Sequence, residues 1–173
     1  MLGIFYLLGA GVLVFIDYLI KQWATLSLQP VTSIDIVPDI LSLYYHQNYG
    51  AAFGILQEKR FFLIVVTGIM LTVLALAILL RKVKGSLLLS AFSLIVAGGV
   101  GNLIDRVING YVVDYIYFEP INFPIFNFAD CCVVIGTGLL FVYLLFFDGK
   151  QKKSNSPDTL AAPPEPPVTG EPS

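Results

Sequence analysis

Two aspartates, Asp114 and Asp130, lie sixteen positions apart in a strongly apolar part of the chain. Ionisable side chains in apolar surroundings are costly, and in membrane proteins they usually mark a function. If the fold brings the two carboxyl groups together, both cannot easily ionise, so one keeps its proton while the other acts as a base. Such a pair could hydrolyse an amide by activating a water, with neither a metal nor a covalent intermediate.

The same two aspartates have other interpretations. Asp130 stands just before an apolar segment, where a carboxylate would cap a helix N-terminus. That interpretation leaves Asp114 unexplained, because Asp114 lies inside the strand-like run 112–118. Asn127 and the proline-bearing segment 120–124 predict that the chain turns back and could bring the carboxyls together. A proton or ion pathway and a purely structural role stay open at this point.

Three further polar features lie in apolar surroundings. Asp17 and Lys21 are four positions apart on one helix face, where they could neutralise each other and anchor the helix end. Asn102 and Arg106 are also one turn apart, and Arg106 could reach the headgroups, pair with a carboxylate or hold a substrate carbonyl. Asp105 should point to a different face from Arg106, and we expect it to be solvated or to cap the helix.

The remaining reactive residue types suggest no metal or nucleophile site. The single histidine, His46, has no second histidine or nucleophile context and is expected to be a surface or hydrogen-bonded residue. Cys131 and Cys132 are adjacent, a spacing that favours neither a disulfide nor a metal site, so we expect small apolar packing residues at a helix start. We therefore expect no cofactor and no metal.

These residues must be positioned by membrane-spanning elements. The 173 residues are 57% hydrophobic and only 13% charged, with a mean hydropathy of +0.81. Too few charges remain to coat a soluble domain, so the composition predicts a membrane protein. A spanning helix needs roughly 20 apolar residues, and four segments qualify: 2–20, 61–80, 86–104 and 131–147. A net charge of −2 without a basic stripe disfavours a nucleic-acid partner.

The topology follows from the distribution of Lys and Arg. The first segment lacks a basic start and a small-residue cleavage site, so it should stay as a membrane helix. Basic residues are dense in 81–84 and after the fourth segment, whereas Arg106 is alone in 105–130. This pattern predicts cytoplasmic termini and two external connections, although Lys59 and Arg60 are a counter-signal. The protein is expected to be a monomer in contact with membrane lipids.

The external connections should carry a small β-sheet at the membrane surface. The runs 33–36, 41–46 and 112–118 are rich in strand-forming residues, and Asn48 to Gly50 forms a turn signal. In the third helix, Ser93, Ala97 and Gly101 recur every four residues, which would let another helix approach closely. We therefore predict one unit over 1–150, with a sheet formed by about 25–57 and 107–128. A disordered cytoplasmic tail should follow over 151–173.

The chain resembles the lipoprotein signal peptidases, also called signal peptidase II, a family of bacterial inner-membrane aspartic endopeptidases. The resemblance is carried by five stretches in order: Asp17-Tyr-Leu-Ile-Lys21, Asn48-Tyr-Gly-Ala-Ala-Phe-Gly54, Gly98-Gly-Val-Gly-Asn-Leu-Ile-Asp-Arg106, Val112-Val-Asp-Tyr115 and Phe126-Asn-Phe-Ala-Asp130. It implies an α-helical membrane protein with four transmembrane helices and a small extracytoplasmic β-sheet, the β-cradle. This agrees with the orientation predicted from charge.

The resemblance also implies a reaction and a site. Asp114 and Asp130 would be the catalytic dyad, acting on a diacylglyceryl-modified prolipoprotein and cleaving on the N-terminal side of its lipidated cysteine. The residues implied to line the site and bind the substrate are Asn48, Gly50, Asn102, Arg106 and Asn127. Ala52 and Phe53 would help to shape the cradle, and Asp17, Lys21 and Phe53 would give structural support.

Two other classes of function compete with the peptidase. A proton-coupled transporter could use the same carboxylates, but it should show broken helices and an internal repeat, and the sequence shows neither. A purely structural membrane partner would leave Asp114 without a reason.

Overall fold

A computed structural model describes residues 2–50 and 59–147 of the protein. Within these ranges the chain forms four α-helices, which are α1 (Leu2–Leu28), α2 (Arg60–Leu79), α3 (Ser86–Ile108) and α4 (Phe128–Phe146). The same ranges hold three strands, which are β1 (Ser33–Val37), β2 (Leu41–Asn48) and β3 (Val112–Phe118). A 3₁₀ turn, Glu119–Ile121, follows β3.

All four described helices are long and apolar enough to cross a membrane. Together with the small sheet, they confirm the predicted fold class, and the protein is a multi-pass membrane protein. Predicted residues 51–57 and the predicted tail 151–173 lie outside the described residues. The same holds for Ala52 and Phe53.

Helix α1 is longer than the predicted segment, which ended at residue 20. The charge of Lys21 predicts the end of the apolar run, but its side chain is only 2% exposed and forms an ion pair with Asp17 one turn earlier. A neutralised lysine does not end a helix, so α1 continues to Leu28. Its 27 residues give a length of about 40 Å, against about 30 Å for the hydrocarbon core of a bilayer.

Helix α3 lies at the centre of the bundle and packs against α1, α2 and α4. The predicted small-residue stripe of Ser93, Ala97 and Gly101 is buried, and the buried stripe continues one turn further to Asp105. Helices α3 and α4 approach each other closely at Gly98, where an added Cβ would lie 2.1 Å from the carbonyl oxygen of Ala129 on α4. Contact between helices in lipid depends on such small residues, as the sequence predicted.

The sheet is antiparallel with the order β1-β2-β3, and its strands confirm the three predicted runs. In the β2–β3 register, His46 lies opposite Asp114 and Asn48 lies opposite Val112. The register shifts between Leu43 and His46, which adds an irregularity just before the polar end of β2.

The sheet is attached to the protruding end of α1. Ala24 and Leu28, in the last turns of α1, form a buried cluster with Val113 and Tyr115 of β3. The chain returns to the bundle through a bridge between Ile116 and Phe126, which leads directly into α4. The sheet, the end of α3 and the start of α4 therefore meet at one end of the bundle.

Candidate active site

A cavity of about 1030 Å³ opens where the sheet meets the ends of α3 and α4. Polar residues from β2, α3, β3, α4 and the segment after β3 line it, including His46, Gln47, Asn48, Asn102, Arg106, Asp114, Asn122 and Asp130. Its apolar wall is formed by β3, the 123–126 segment and the first turns of α4, including Val112, Phe126, Cys131, Val134 and Ile135. Asp114 and Asp130 thus share one cavity, as a dyad requires.

Asp114 is held by β3 and is only 1% exposed. Asn48 Nδ2 donates to its Oδ2 at 2.9 Å, and Asn127 Nδ2 donates to its Oδ1 at 2.6 Å. Asn48 reaches it diagonally, because Asn48 lies opposite Val112 in the sheet. Burial, followed by the charge of Asp130, raises the pKa of Asp114 to about 7, against the opposing effect of the two amide donors.

Asp130 is held by the first turn of α4, which begins three residues earlier than predicted. Asn127 is the N-cap: its side chain accepts from the Asp130 backbone N–H at 2.9 Å. In return, Asp130 Oδ2 accepts from the Asn127 backbone N–H at 3.1 Å, completing a capping box. The interpretation of Asp130 as a residue that caps the helix N-terminus is therefore confirmed. Its other oxygen accepts from Asn102 Nδ2 at 2.8 Å.

Asn127 connects the two carboxyls directly. Its side-chain amide donates to Asp114, while its backbone N–H donates to Asp130. The amide also donates to Asn102 Oδ1 at 3.1 Å, and the residue is fully buried. Two aspartates on different elements are thus bridged by one asparagine, which confirms that the chain turns back between them.

The first three amides of α4 are all occupied. Phe128 N donates to the hydroxyl of Tyr115 at 3.1 Å, and Ala129 N donates to Asp17 Oδ1 at 3.1 Å. The third, Asp130 N, donates to the side chain of Asn127. Strand β3, helix α1 and the N-cap therefore jointly fix the turn that carries Asp130.

Arg106 is half-buried on the cavity side of α3. Its Nη2 donates to the backbone carbonyl of Gly50 at 2.7 Å, and its Nη1 donates to the carbonyl of Asn102 at 3.2 Å. Gly50 is itself buried and donates its N–H to Asn48 Oδ1 at 2.9 Å. Arg106 therefore joins the end of α3 to the chain that follows β2.

The prediction that Asp105 is solvated or caps the helix is wrong. Asp105 is only 7% exposed, and its Oδ2 lies 3.0 Å from Lys21 Nζ. It also accepts from the backbone N–H of Val113 at 3.2 Å. The expected difference in direction from Arg106 holds, but the face of Asp105 is covered by α1 and β3. A four-residue extension of the Ser93-Ala97-Gly101 stripe would have signalled its burial.

The predicted Asp17–Lys21 ion pair is confirmed, with Nζ 2.9 Å from Oδ2. Gly101 lies against it, where an added Cβ would be 2.5 Å from Asp17 Oδ2. His46 is exposed at the cavity, as expected of a surface histidine. Cys132 is buried as predicted, whereas Cys131 is half-buried and lines the cavity, a position that the sequence did not signal.

The geometry suits acid–base chemistry at an amide. Each oxygen of each carboxyl receives one donor within the described residues, and the two groups differ in burial: Asp114 is enclosed and Asp130 is half-buried. Different environments separate the protonation of paired carboxyls, so that one can act as acid and the other as base. The adjoining apolar wall would accommodate a hydrophobic ligand.

Residues 10–146 match the family model described as signal peptidase (SPase) II. Similar proteins include lipoprotein signal peptidases of Brevibacillus brevis, 37% identical over 86% of this chain and 99% of the relative, and of Clostridioides difficile, 42% identical over 85% and 99%. A bacterial membrane enzyme solved by the in meso method at 2.3 Å resolution superposes with a TM-score of 0.74 at 32% identity, covering 88% of this chain and 92% of that one. A second, solved by the same method at 1.9 Å, gives 0.73 at 35%, covering 82% and 93%. With its cavity, its bridged carboxyls and these matches taken together, the chain belongs to the signal peptidase II family and is a membrane protease.

Proposed function

We propose that the protein is an aspartic endopeptidase that removes signal peptides from diacylglyceryl-modified prolipoproteins. Cleavage falls on the N-terminal side of the lipidated cysteine. The observation that carries this proposal is the bridge through Asn127, which joins Asp114 and Asp130 on one cavity while leaving them in unequal environments. The names of the similar proteins support the substrate class.

In the proposed reaction, Asp130 is the base and Asp114 the acid. Asp130 takes a proton from a water whose oxygen attacks the scissile carbonyl carbon, while Asp114 gives its proton to the carbonyl oxygen. The tetrahedral intermediate collapses as Asp130 passes its proton to the departing nitrogen and the C–N bond breaks. Asp114 recovers a proton from the intermediate as the new carboxyl group forms. The enclosed position of Asp114 and its raised pKa support this assignment.

Substrate positioning is assigned to the polar cavity wall. Asn48, Asn102 and Arg106 line the cavity. Asn127 and Gly50 are outside the lining and would act through their hydrogen bonds to Asp114 and Arg106. Asp17 and Lys21 support the site from α1, outside the cavity lining. Phe53, assigned the same role, lies outside the described residues.

The position of the site suits a substrate anchored in lipid. A signal segment and acyl chains partition into the bilayer, so the scissile bond is presented near the membrane boundary. Binding energy from those apolar groups, remote from the amide, can then orient it for attack. The apolar cavity wall that includes Val134 and Ile135 lies on α4, next to Asp130.

We further propose that both termini are cytoplasmic and that the cavity lies near the extracytoplasmic face of the bacterial inner membrane. The loop with Arg81, Lys82 and Lys84 joins α2 and α3 at the end of the bundle away from the sheet. The start of α1 lies at that end too, because Gly3 approaches Ile78. Basic loops favour the cytoplasm. Residues 1–150 would act as one unit and as a monomer.

The proposal is tested with the purified full-length protein and a diacylglyceryl-modified prolipoprotein. Because acid–base catalysis typically contributes about 10²- to 10⁴-fold, we expect Asp114→Asn and Asp130→Asn each to lower turnover by at least that range. Asp39→Asn, the same change at an exposed position, is the matched control and should keep wild-type turnover. Thermal unfolding verifies that each variant is folded. A folded Asp114→Asn or Asp130→Asn variant with full activity would refute the dyad.

A second arm addresses the substrate class. The same prolipoprotein without its diacylglyceryl group should be cut much more slowly, because it lacks the lipid that holds the scissile bond at the membrane boundary. Equal rates on lipidated and unlipidated substrate would refute the substrate assignment while leaving the chemistry of the dyad intact.

A further inference from the structure

Lys21 is a buried charged residue that does not belong to the cavity lining, yet it contacts the residue that holds Asp130. Its Nζ lies 2.9 Å from Asp17 Oδ2, 3.0 Å from Asp105 Oδ2 and 2.9 Å from Asn102 Oδ1. An ammonium group has three N–H donors and no acceptor. All three donors therefore have an acceptor. Two of the acceptors are carboxylates, and the third is the neutral side-chain amide of Asn102.

This third contact fixes which way the Asn102 amide points. Its oxygen faces two donors, Lys21 Nζ and Asn127 Nδ2, while its nitrogen faces Asp130 Oδ1. The reverse orientation would place the NH₂ group against an ammonium and a second NH₂ group, and the carbonyl oxygen against a carboxylate. Only one orientation satisfies all the neighbours, and Lys21 supplies the charged one of the two donors that hold the Asn102 oxygen in place.

The polarity of this amide matters to the state of Asp130. With the NH₂ group facing it, Asp130 has a donor on each oxygen, from Asn102 and from the backbone of Asn127. Donors favour the ionised carboxylate. Turned around, the amide would present an acceptor to Asp130, which would favour the protonated form and remove the base.

We propose that Lys21 is a positioning residue for catalysis, which acts through Asn102 by directing the amide donor at Asp130 and so keeps that carboxylate ready to accept a proton from water. This inference rests on the proposed function, in which Asp130 is the base. It differs from simple structural support because it assigns Lys21 an effect on the protonation of one carboxyl.

Other charged and titratable groups surround Lys21 and Asp130, and the design must account for them. Those that interact with Asp130 are Arg106 on α3, Asp114 and Tyr115 on β3, and Cys131 on α4. Asp17 on α1 and Asp105 on α3 contact Lys21, and His46 on β2 lies on the same cavity. Removing Lys21 alone would leave Asp17 and Asp105 as an uncompensated buried pair. The double variant Lys21→Met/Asp105→Asn removes one positive and one negative charge, so the net charge of the group stays the same while the contact with Asn102 is lost.

The experiment measures kcat/KM against pH on the lipidated prolipoprotein. In the double variant the acidic limb, which reports protonation of the base, should move to higher pH, and kcat should fall by roughly tenfold or more, as expected for loss of a charge-assisted hydrogen bond. KM should change little, since Lys21 does not line the cavity. The matched control, Asp105→Asn, keeps Lys21 and its contact with Asn102, and its acidic limb should not move to higher pH.

Two results would overturn the inference. One is a double variant whose activity falls evenly at every pH with the acidic limb unmoved, which is the signature of structural support alone. The other is an upward shift of equal size in Asp105→Asn. If the double variant does not fold, Lys21→Met/Asp17→Asn removes the same contact with the other charge partner, and an unmoved acidic limb there has the same consequence. Failure of the proposed function is separate, because it would appear as an active Asp130→Asn variant.

Discussion

Gly98→Ala tests how tightly the bundle fixes the candidate site. An added Cβ at Gly98 would lie 2.1 Å from the carbonyl oxygen of Ala129 and 2.8 Å from Cγ2 of Val133. Ordinary contact begins at 3.4 Å, so the start of α4 must retreat from α3 by more than an ångström. The clash is with backbone in the first turn of α4, next to Asp130, and a backbone carbonyl cannot swing away as the tip of a side chain can.

The expected loss has two components. Overpacking of this kind typically costs about 1–3 kcal/mol of stability. A displacement of an ångström also breaks the 2.8 Å hydrogen bond from Asn102 on α3 to Asp130 on α4. A misplacement of this size can lower activity by about 10²-fold. We therefore expect Gly98→Ala to lower both the unfolding temperature and kcat/KM, the latter by about that factor.

The assay pairs cleavage of a lipidated prolipoprotein with thermal unfolding in the same detergent. Gly138→Ala on α4 is the matched control, because an added Cβ there has nothing within 4 Å. Alanine favours a helix over glycine, so this control should lose neither stability nor activity. Wild-type activity and unfolding temperature in Gly98→Ala, or equal losses in both variants, would refute the argument that close approach at Gly98 positions Asp130.

Three further outcomes follow from the site. In the proposed reaction Asp114 is the acid and must be protonated, and its pKa is raised to about 7. We therefore expect kcat/KM to fall about tenfold per pH unit above that value; a flat profile from pH 7 to 9 would contradict it. Arg106→Lys keeps the charge but loses the planar guanidinium group that reaches the carbonyl of Gly50. We therefore expect KM to rise by roughly tenfold. Unchanged kinetics would show that the guanidinium group is dispensable. Arg60→Gln removes donors to the carbonyls of Arg106 and Val107 at 2.7 and 2.9 Å, and should lower stability by about 1 kcal/mol and increase amide exchange in the last turn of α3; unchanged exchange there would contradict it.

Most helices and strands of this fold could be predicted from the sequence, because a helix that spans a lipid bilayer needs a long apolar run, which is easy to recognise. The run 112–118 was predicted with the bounds that β3 has. The ends of helices were less readable wherever a polar residue is neutralised inside the protein. Lys21 looked like a helix end because its second partner, Asp105, comes from a distant part of the chain.

The residues of the candidate site could be recognised in the sequence by their types, but the hydrogen bonds between them could not be predicted. Asp114 and Asp130 are conspicuous carboxylates in apolar sequence, and the turn between them was predicted. The contact between Asn48 and Asp114 depends on the pairing of β2 with β3, whose register shifts between Leu43 and His46. No local pattern specifies such a shift, because it depends on how the two strands fit together.

The length of α1 has a consequence for how the cavity is assembled. Since the sheet rests on Ala24 and Leu28 at the end of a continuous helix, the position of the sheet along the bundle depends on the number of residues in α1. One residue inserted before Asp17 would raise the sheet by about 1.5 Å but also rotate Lys21 by about 100° away from Asn102. Seven residues, nearly two whole turns, would restore the direction of Lys21 but shift the sheet by about 10 Å relative to the ends of α3 and α4, which supply the rest of the cavity. The position of the sheet along the bundle and the direction in which Lys21 points therefore cannot be changed independently by changing the length of α1.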